Sequence, residues 1–275
     1  MHIVVAGAVL ALLFQGGLAA QSPAPGVETA MRSPDPAAEI AEGARAFSAR
    51  QPDLALRHFE NALAVDSTSY EANWRAALAL ITLGAETPES VKSPERDSLF
   101  ARAERDARRA VAADSLGADG HFLLARAIGQ TALTKGKKER IRLAGEVRSE
   151  ALRAIELNPR HDGAYHVLGR WNAEVMHLSG LSRFFARQFM GGSIFGQASW
   201  DAAVSNLERA VELDSTRITH RLDLARVYAD RKRYADARSQ LEAIATLPVR
   251  DFEDPRLKQE AAALLQKIAT KKDRS

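Results

Sequence analysis

The sequence predicts an all-α solenoid of about five helical hairpins, closed by a C-terminal capping helix. Ala, Leu, Arg and Glu dominate a chain of 275 residues with 46% hydrophobic and 27% charged residues, which is a composition typical of helical proteins. A pattern of small residues also recurs along the chain, with internal spacings of four and then three residues. These spacings place the small residues on one side of a helix, where another helix can pack closely.

The recurring pattern divides most of the chain into repeats. It occupies 55–67, 103–115, 147–159 and 203–215, with a fainter copy at 237–244. The first four copies end on Asp or Asn followed by Ser or Pro, a combination that stops a helix. When this stop signal is used to set the repeat boundaries, the repeats span 36–69, 70–117, 118–161, 162–217 and 218–251, and a capping helix follows at 254–270. The whole solenoid is predicted to cover 37–271.

The repeats differ in length, at 34, 48, 44, 56 and 34 residues. Both helices of each repeat keep their internal spacing, so the extra residues are predicted to fall in the turn between them. Pro88 and Pro94 lie in the extra stretch of the second repeat, which supports a loop there. The fourth repeat carries the longest insert, and we expect it to be the recognition unit.

This arrangement resembles the tetratricopeptide repeat, a helix–turn–helix unit of about 34 residues. The motifs 158–162 (Asn-Pro-Arg-His-Asp) and 168–171 (Leu-Gly-Arg-Trp), the insert at 181–190 and the helix at 253–265 are similar to the regulator of microtubule dynamics family. The resemblance implies a non-enzymatic adaptor or membrane-contact role, with relatives that associate with microtubules and organelle membranes. It brings no catalytic residues.

The N-terminal segment has the features of an export signal. An apolar run at 3–14 is shorter than the roughly 20 residues that span a bilayer, and small residues follow it. We therefore expect a signal peptide at 1–20, cleaved after Ala19 or Ala20, and a Pro-rich linker at 21–36. The protein would then be periplasmic or secreted, although an uncleaved membrane anchor is the alternative because Met1-His2 carries no Lys or Arg. An exported protein would not meet tubulin, so the resemblance suggests a microtubule-associated role only weakly.

Charge, cysteine content and missing motifs exclude several function classes. A net charge of +3 gives no reason to expect a nucleic-acid partner. The chain has no cysteine, which excludes disulfides and thiolate metal sites. His161, His166 and His177 do not form an HExxH motif, and the chain has neither a nucleophile elbow nor a phosphate-binding glycine loop. We therefore expect neither catalysis nor a cofactor nor a metal.

Arginines at one repeat position are the strongest candidate for a binding site. The first helices of such repeats line a concave groove, and position 9 of the third, fourth and fifth repeats is Arg126, Arg170 and Arg226. This ladder would bind carboxylate or phosphate groups of an acidic protein or peptide, or of an anionic lipid surface. Positions 5 and 13 add further groove-facing side chains, namely Phe122, His166, Leu222, Gln130, Glu174 and Asp230. Alternatively, Arg170 with Glu174 and Arg226 with Asp230 are i,i+4 pairs that only neutralise each other.

Two other stretches could contact a ligand. The fourth-repeat insert, at 178–199, places apolar and basic side chains at helical spacing, among them Arg183, Phe184, Phe185, Arg187 and Phe189. This segment would either touch a membrane or an apolar ligand, or cover the end of the repeat stack. The basic run at 135–142 could attract anionic lipid or nucleic acid, but we expect it to be a solvated loop.

Overall fold

The computed structural model describes residues 35–88, 91–178 and 194–273. Within them it contains helices and no strand. They are α1 (Pro36–Ser48), α2 (Pro52–Val65), α3 (Tyr70–Gly84), α4 (Pro94–Ala113), α5 (Ala118–Leu133), α6 (Lys137–Leu157), α7 (Asp162–His177), a 3₁₀ helix (Ile194–Gln197), α8 (Trp200–Leu213), α9 (Ile218–Asp230), α10 (Tyr234–Thr246) and α11 (Asp254–Ile268). The predicted signal peptide lies outside the described residues.

Consecutive helices pack as five hairpins, α1/α2, α3/α4, α5/α6, α7/α8 and α9/α10, followed by α11. The first helices of successive hairpins also contact one another, and α9 contacts α11 in the same way. The described second helices make few contacts of this kind with each other, which places the row of first helices on the inner side of the stack. The predicted all-α solenoid with a capping helix is confirmed.

Each of the first four hairpins ends in the same turn, built by the residue that stops its second helix. The side-chain oxygen of Asp66 accepts a hydrogen bond from the backbone N–H two residues later at 2.9 Å. Asp114, Asn158 and Asp214 do the same at 2.9, 3.0 and 3.1 Å. Asp and Asn favour such turns because their short side chains bond to nearby backbone. The stop signal in the sequence is therefore the turn that directs the chain into the next hairpin.

The first and fifth hairpins, which belong to the two 34-residue repeats, have tight turns between their helices. Arg50 between α1 and α2, and Lys232 between α9 and α10, adopt φ angles of 61° and 60°. The next residue in each case donates its N–H to a carbonyl five residues back, Gln51 to Ala46 at 2.9 Å and Arg233 to Tyr228 at 2.8 Å. This left-handed helix ending usually carries glycine, so both turns hold a side chain in a costly backbone conformation.

Two of the three longer repeats, the second and the third, differ from the expectation that all extra residues would lie in the turn. Helices α4 and α6 have 20 and 21 residues, against 14 in α2 and α8, so part of each insertion lengthens the second helix. The prediction of a loop at the basic run was wrong, because α6 begins within it. Arg140 explains this locally, since its guanidinium donates to Ala132 O and Leu133 O at 3.3 and 2.8 Å and so caps the end of α5.

The small residues of the repeat pattern form the core. Ala55, Ala103, Ala151, Ala203 and Ala237 are fully buried. Two apolar clusters follow each other along the stack, one from α1 to α7 and one from α7 to α11. Trp171 and Val175 belong to the first cluster, and the indole Nε1 of Trp171 donates to Ala144 O at 2.6 Å. None of the helices in the described part combines the length and the apolar character needed to cross a membrane.

Candidate binding face on the first helices

The three predicted arginines lie on α5, α7 and α9, and their side chains are 25%, 37% and 41% exposed. We call the surface of these helices around Arg126, Arg170 and Arg226 the binding face. Each arginine has an acidic partner from elsewhere in the chain. The face is therefore a set of ion pairs, and an acidic ligand would have to exchange with carboxylates already there.

Asp223 on α9 is the centre of this face, and it joins the fourth and fifth repeats. Its side chain is 3% exposed and accepts three hydrogen bonds: from His166 Nε2 at 2.8 Å, Arg170 Nη1 at 2.9 Å and Arg226 Nη1 at 2.8 Å. Burial alone would raise the pKa of Asp223, but Arg170, His166 and Arg226 outweigh burial and hold it well below its usual range. Asp223 is therefore an ionised carboxylate that fixes both guanidinium groups.

The outer nitrogens of the same two arginines bind more exposed acids. Arg170 Nη2 lies 3.3 Å from Glu174, whose side chain is 58% exposed. Arg226 Nη2 bonds Glu260 of α11, whose side chain is 35% exposed. The predicted Arg170–Glu174 pair is thus present, whereas Asp230 pairs with His177 at 3.1 Å. Each guanidinium has an inner side held by a buried carboxylate and an outer side held by a solvent-accessible one.

Arg126 has a different environment from the other two arginines. Its Nη2 lies 3.7 Å from Glu253, in the segment that connects α10 to α11. Burial lowers the pKa of Arg126, and the negative charge of Glu253 opposes that shift. Arg126 is not bonded to Asp223, so the structure brings together two of the three predicted ladder arginines through a shared carboxylate.

Two histidines extend the network along α7 and α9. His220 is 2% exposed and its Nε2 donates to Asp162 at 2.8 Å, while its ring lies 4.8 Å from that of His166. Burial lowers the pKa of His220 to about 4, although the hydrogen bond to Asp162 opposes the shift. Burial would raise the pKa of Asp162, but His220 and Arg217 hold it below its usual range. His220 is therefore neutral at physiological pH and acts as a donor to an ionised carboxylate.

Other predicted face residues are used in packing. The ring of Phe122 covers Gly163, where an added Cβ would come within 2.7 Å of it, and lies 4.6 Å from the ring of His161. Leu222 was expected to face the groove, but it is fully buried in the apolar cluster shared with α11. The capping helix covers this end of the row of first helices, which explains the difference. Within the described residues, no three His, Asp or Glu side chains converge to hold a metal ion.

The predicted contact residues of the insert, Arg183, Phe184, Phe185, Arg187 and Phe189, lie outside the described residues. The insert's described end is tied to the stack, because Ser199 N donates to Asn172 Oδ1 at 3.3 Å and Arg148 donates to Gln197 Oε1 at 2.5 Å.

Comparison with known proteins identifies the family. The profile of the family described as Regulator of microtubule dynamics protein 1-3 matches residues 40–269. The chain belongs to this family. A related protein, Regulator of microtubule dynamics protein 3 of Rattus norvegicus, is 26% identical over 176 residues, which are 64% of this chain and 36% of that protein. The chain thus aligns with about a third of the length of this relative.

Solved structures show the same fold. A thermophilic TPR protein of Thermus thermophilus matches with a TM-score of 0.61 at 20% identity, covering 84% of this chain and all of that one. A human IFIT1 dimer with m7Gppp-AAAA matches with a TM-score of 0.51 at 19% identity, covering 87% of this chain and 56% of that one. At these identities the likeness shows the tetratricopeptide-repeat fold alone.

The sequence reasoning missed Asp162, His220 and Asp223, although two of them leave a signal. The positions equivalent to His220 in the three preceding repeats are Ala72, Gly120 and Ala164, all small and buried. A histidine at a place reserved for small side chains indicates a buried polar contact. Asp223 similarly stands where the third and fourth repeats have Leu and Val.

Proposed function

We propose that this chain is a non-catalytic protein-binding scaffold whose binding face takes an acidic peptide segment of a partner protein. The observation that supports this is the fixed orientation of Arg170 and Arg226. Each has one nitrogen bonded to the buried Asp223 and the other bonded to an exposed carboxylate. A ligand carboxylate can replace the outer acid while Asp223 keeps the guanidinium in place.

Glu174 is the acid that a ligand would displace most easily. Its side chain is 58% exposed and its distance to Arg170 is 3.3 Å, longer than the 2.9 Å between Arg170 and Asp223. Exposed ion pairs contribute little to stability, so exchanging one for a ligand carboxylate costs little. We therefore expect Glu174 to act as a competitor of acidic ligands.

A labelled hexaglutamate peptide provides the test, with hexaglutamine as the control peptide. Fluorescence anisotropy should show tighter binding to Glu174→Gln than to the unmodified chain, by about two- to five-fold. Arg170→Gln and Arg226→Gln should each weaken it. Glu212→Gln is the matched control, because Glu212 forms a similar exposed pair with Arg209, at 3.0 Å on α8. Equal affinity of the Glu174 and Glu212 variants would rule out acid exchange at Arg170.

The name of the relatives adds microtubules to the partners worth testing. Because the chain covers 36% of the rat relative, that protein's role is a proposal for this chain. Co-sedimentation with purified microtubules, with and without Arg170→Gln, would show whether their surface is a ligand of the binding face. Binding that is unaffected by the substitution would place the microtubule contact elsewhere.

The lipid-binding alternative and the export signal stay predictions. The first depends on the insert around Phe184 and Phe185, and liposome flotation with both changed to Ser tests it. The second depends on residues 1–20, and N-terminal sequencing of the purified protein should find Ala20 or Gln21 as the first residue.

A further inference from the structure

The segment that connects α10 to α11 reaches back to the binding face. It carries two acidic residues, Asp251 and Glu253, and Asp254 follows as the first residue of α11. Glu253 Oε2 lies 3.7 Å from Arg126 on α5, two hairpins earlier in the stack, and the charge of Asp251 also acts on this guanidinium. An acidic stretch of the chain itself thus occupies the Arg126 end of the binding face.

Arg126 differs from Arg170 because the adjacent repeat has no carboxylate at the position equivalent to Asp223. Arg170 is bonded to Asp223 of the next repeat, but the position equivalent to Asp223 in the repeat after Arg126 is Val167. The acid that meets Arg126 therefore comes from a connecting segment, whereas Arg170 and Arg226 share a buried residue of α9. A connecting segment can move away without unpacking a helix.

Polar contacts, and little apolar burial, hold the segment in place. Asp254 Oδ2 accepts hydrogen bonds from the backbone N–H groups of Arg250 and Asp251 at 2.7 and 2.8 Å. The Arg250 side chain lies 3.3 Å from Asp214 Oδ1. In contrast, Val249 and Phe252 are 38% and 36% exposed. Phe252 is part of neither apolar cluster of the described residues, so displacing the segment would uncover little core.

We propose that residues 251–253 are an internal ligand that competes with partner peptides for the Arg126 end of the binding face. The partner class that fits is a short acidic peptide with an aromatic residue between two acidic ones, as in Asp251-Phe252-Glu253. This inference rests on the proposed function, because it assumes that the face binds acidic peptides. It adds a regulatory element, since the unliganded chain holds this end of the face closed.

The probe is a fluorescein-labelled synthetic peptide with the sequence of residues 249–255, added to the full chain. The double variant Asp251→Asn/Glu253→Gln removes the internal charges with little change in shape. It should bind the peptide about two- to five-fold more tightly than the unmodified chain, as expected for loss of a partly exposed competing ion pair. Glu242→Gln is the matched control, because Glu242 is an exposed acid on α10, outside this segment. Adding Arg126→Gln should abolish the gain.

Hydrogen exchange supplies a second measurement that does not depend on the variants. Saturating peptide should speed the exchange of the Arg250 and Asp251 amides, because displacement breaks their bonds to Asp254. Equal peptide affinity of the double variant and the unmodified chain, with hexaglutamate still binding through Arg170, would overturn the internal-ligand proposal alone. Failure of both acidic peptides to bind any version would overturn the proposed function as well.

Discussion

Replacing Asp223 with Asn tests whether the binding face is organised around one carboxylate. Asn has nearly the same shape, but it removes the negative charge that His166, Arg170 and Arg226 all face at 2.8–2.9 Å. Asp223 is 3% exposed, so water cannot reach the three donors to replace the lost charge unless α7 rearranges against α9. We expect a marked loss of stability in the fourth and fifth repeats.

The magnitude follows from the three hydrogen bonds. A hydrogen bond to a charged group contributes roughly 1.5–3 kcal/mol, so simple addition would give about 4.5–9 kcal/mol. That sum is too large, because Arg170 and Arg226 are 37% and 41% exposed and can bind water when they lose the carboxylate. The Asn oxygen also remains an acceptor. A loss of about 2–4 kcal/mol in the free energy of unfolding is the resulting expectation.

Urea unfolding followed by tryptophan fluorescence is the appropriate assay, because Trp171 and Trp200 lie in the fourth repeat. Repeat arrays can unfold in parts, so the probe must report on the affected repeats. Glu174→Gln is the control, with an expected loss below about 1 kcal/mol for an exposed pair. The depressed pKa of Asp223 means that its contribution is present above the unfolded value of 3.8 and is lost as the pH falls through the lower folded value. A loss below about 1 kcal/mol for Asp223→Asn at pH 7 would refute the reasoning.

Four further substitutions test other parts of the structure. The pKa of His220 falls from 6.5 to about 4 on folding, so the unfolded chain binds more protons than the folded chain between these pH values. Acidification through this range should therefore lower the free energy of unfolding by about 3 kcal/mol. His220→Gln can still donate to Asp162 but does not titrate, so its urea midpoint should change less over the same pH range. Lys232→Gly should raise the free energy of unfolding by roughly 0.5–1 kcal/mol, since φ is 60° there, and an unchanged or lower thermal midpoint would contradict this. Gly163→Ala should destabilise the protein by about 1–3 kcal/mol, because the added Cβ would meet an aromatic ring at 2.7 Å. Gly129→Ala, with nothing within 4 Å of the added Cβ, should stabilise the helix by about 0.5–1 kcal/mol. Similar thermal midpoints for the two variants would contradict this contrast.

The repeat architecture could be predicted because its signals are local. A small residue at the contact between two helices, and an Asp or Asn that builds the following turn, act within a few residues of their own position. Asp66, Asp114 and Asp214 each carry the full turn signal in three residues. The spacing between such signals therefore predicted the all-α solenoid of about five hairpins, although it could not tell whether an insertion would lengthen a turn or a helix.

The basic run at 135–142 shows why that distinction escaped the sequence. A cluster of Lys and Arg is compatible with a solvated loop or with the first turns of a helix. The contact of Arg140 with the last carbonyls of α5 decides in favour of the helix. Those carbonyls come within reach of Arg140 only when the hairpin is packed. Helix propensity is also weak evidence at a helix start, where tertiary contacts commonly determine the boundary.

The partners of the arginines could not be predicted for a similar reason. Spacing within one helix found the Arg170–Glu174 pair, but Asp223 lies 53 residues from Arg170 and Glu253 lies 127 residues from Arg126. Such pairs depend on how neighbouring repeats are stacked. The sequence does carry one usable sign, because Asp223 and His220 replace residues that are apolar or small in the third and fourth repeats.

The distribution of acids on the binding face has a consequence for how it can select ligands. If every ladder arginine already has a carboxylate, acidic peptide binding exchanges one ion pair for another and changes the number of pairs little. Long-range attraction then contributes less than it would at an uncompensated basic patch. Affinity must come from what the peptide buries beside the exchanged carboxylate, which is why the exposed Phe252 of the internal segment matters. In the proposed exchange, buried Asp223 would keep Arg170 and Arg226 oriented while their outer partners change.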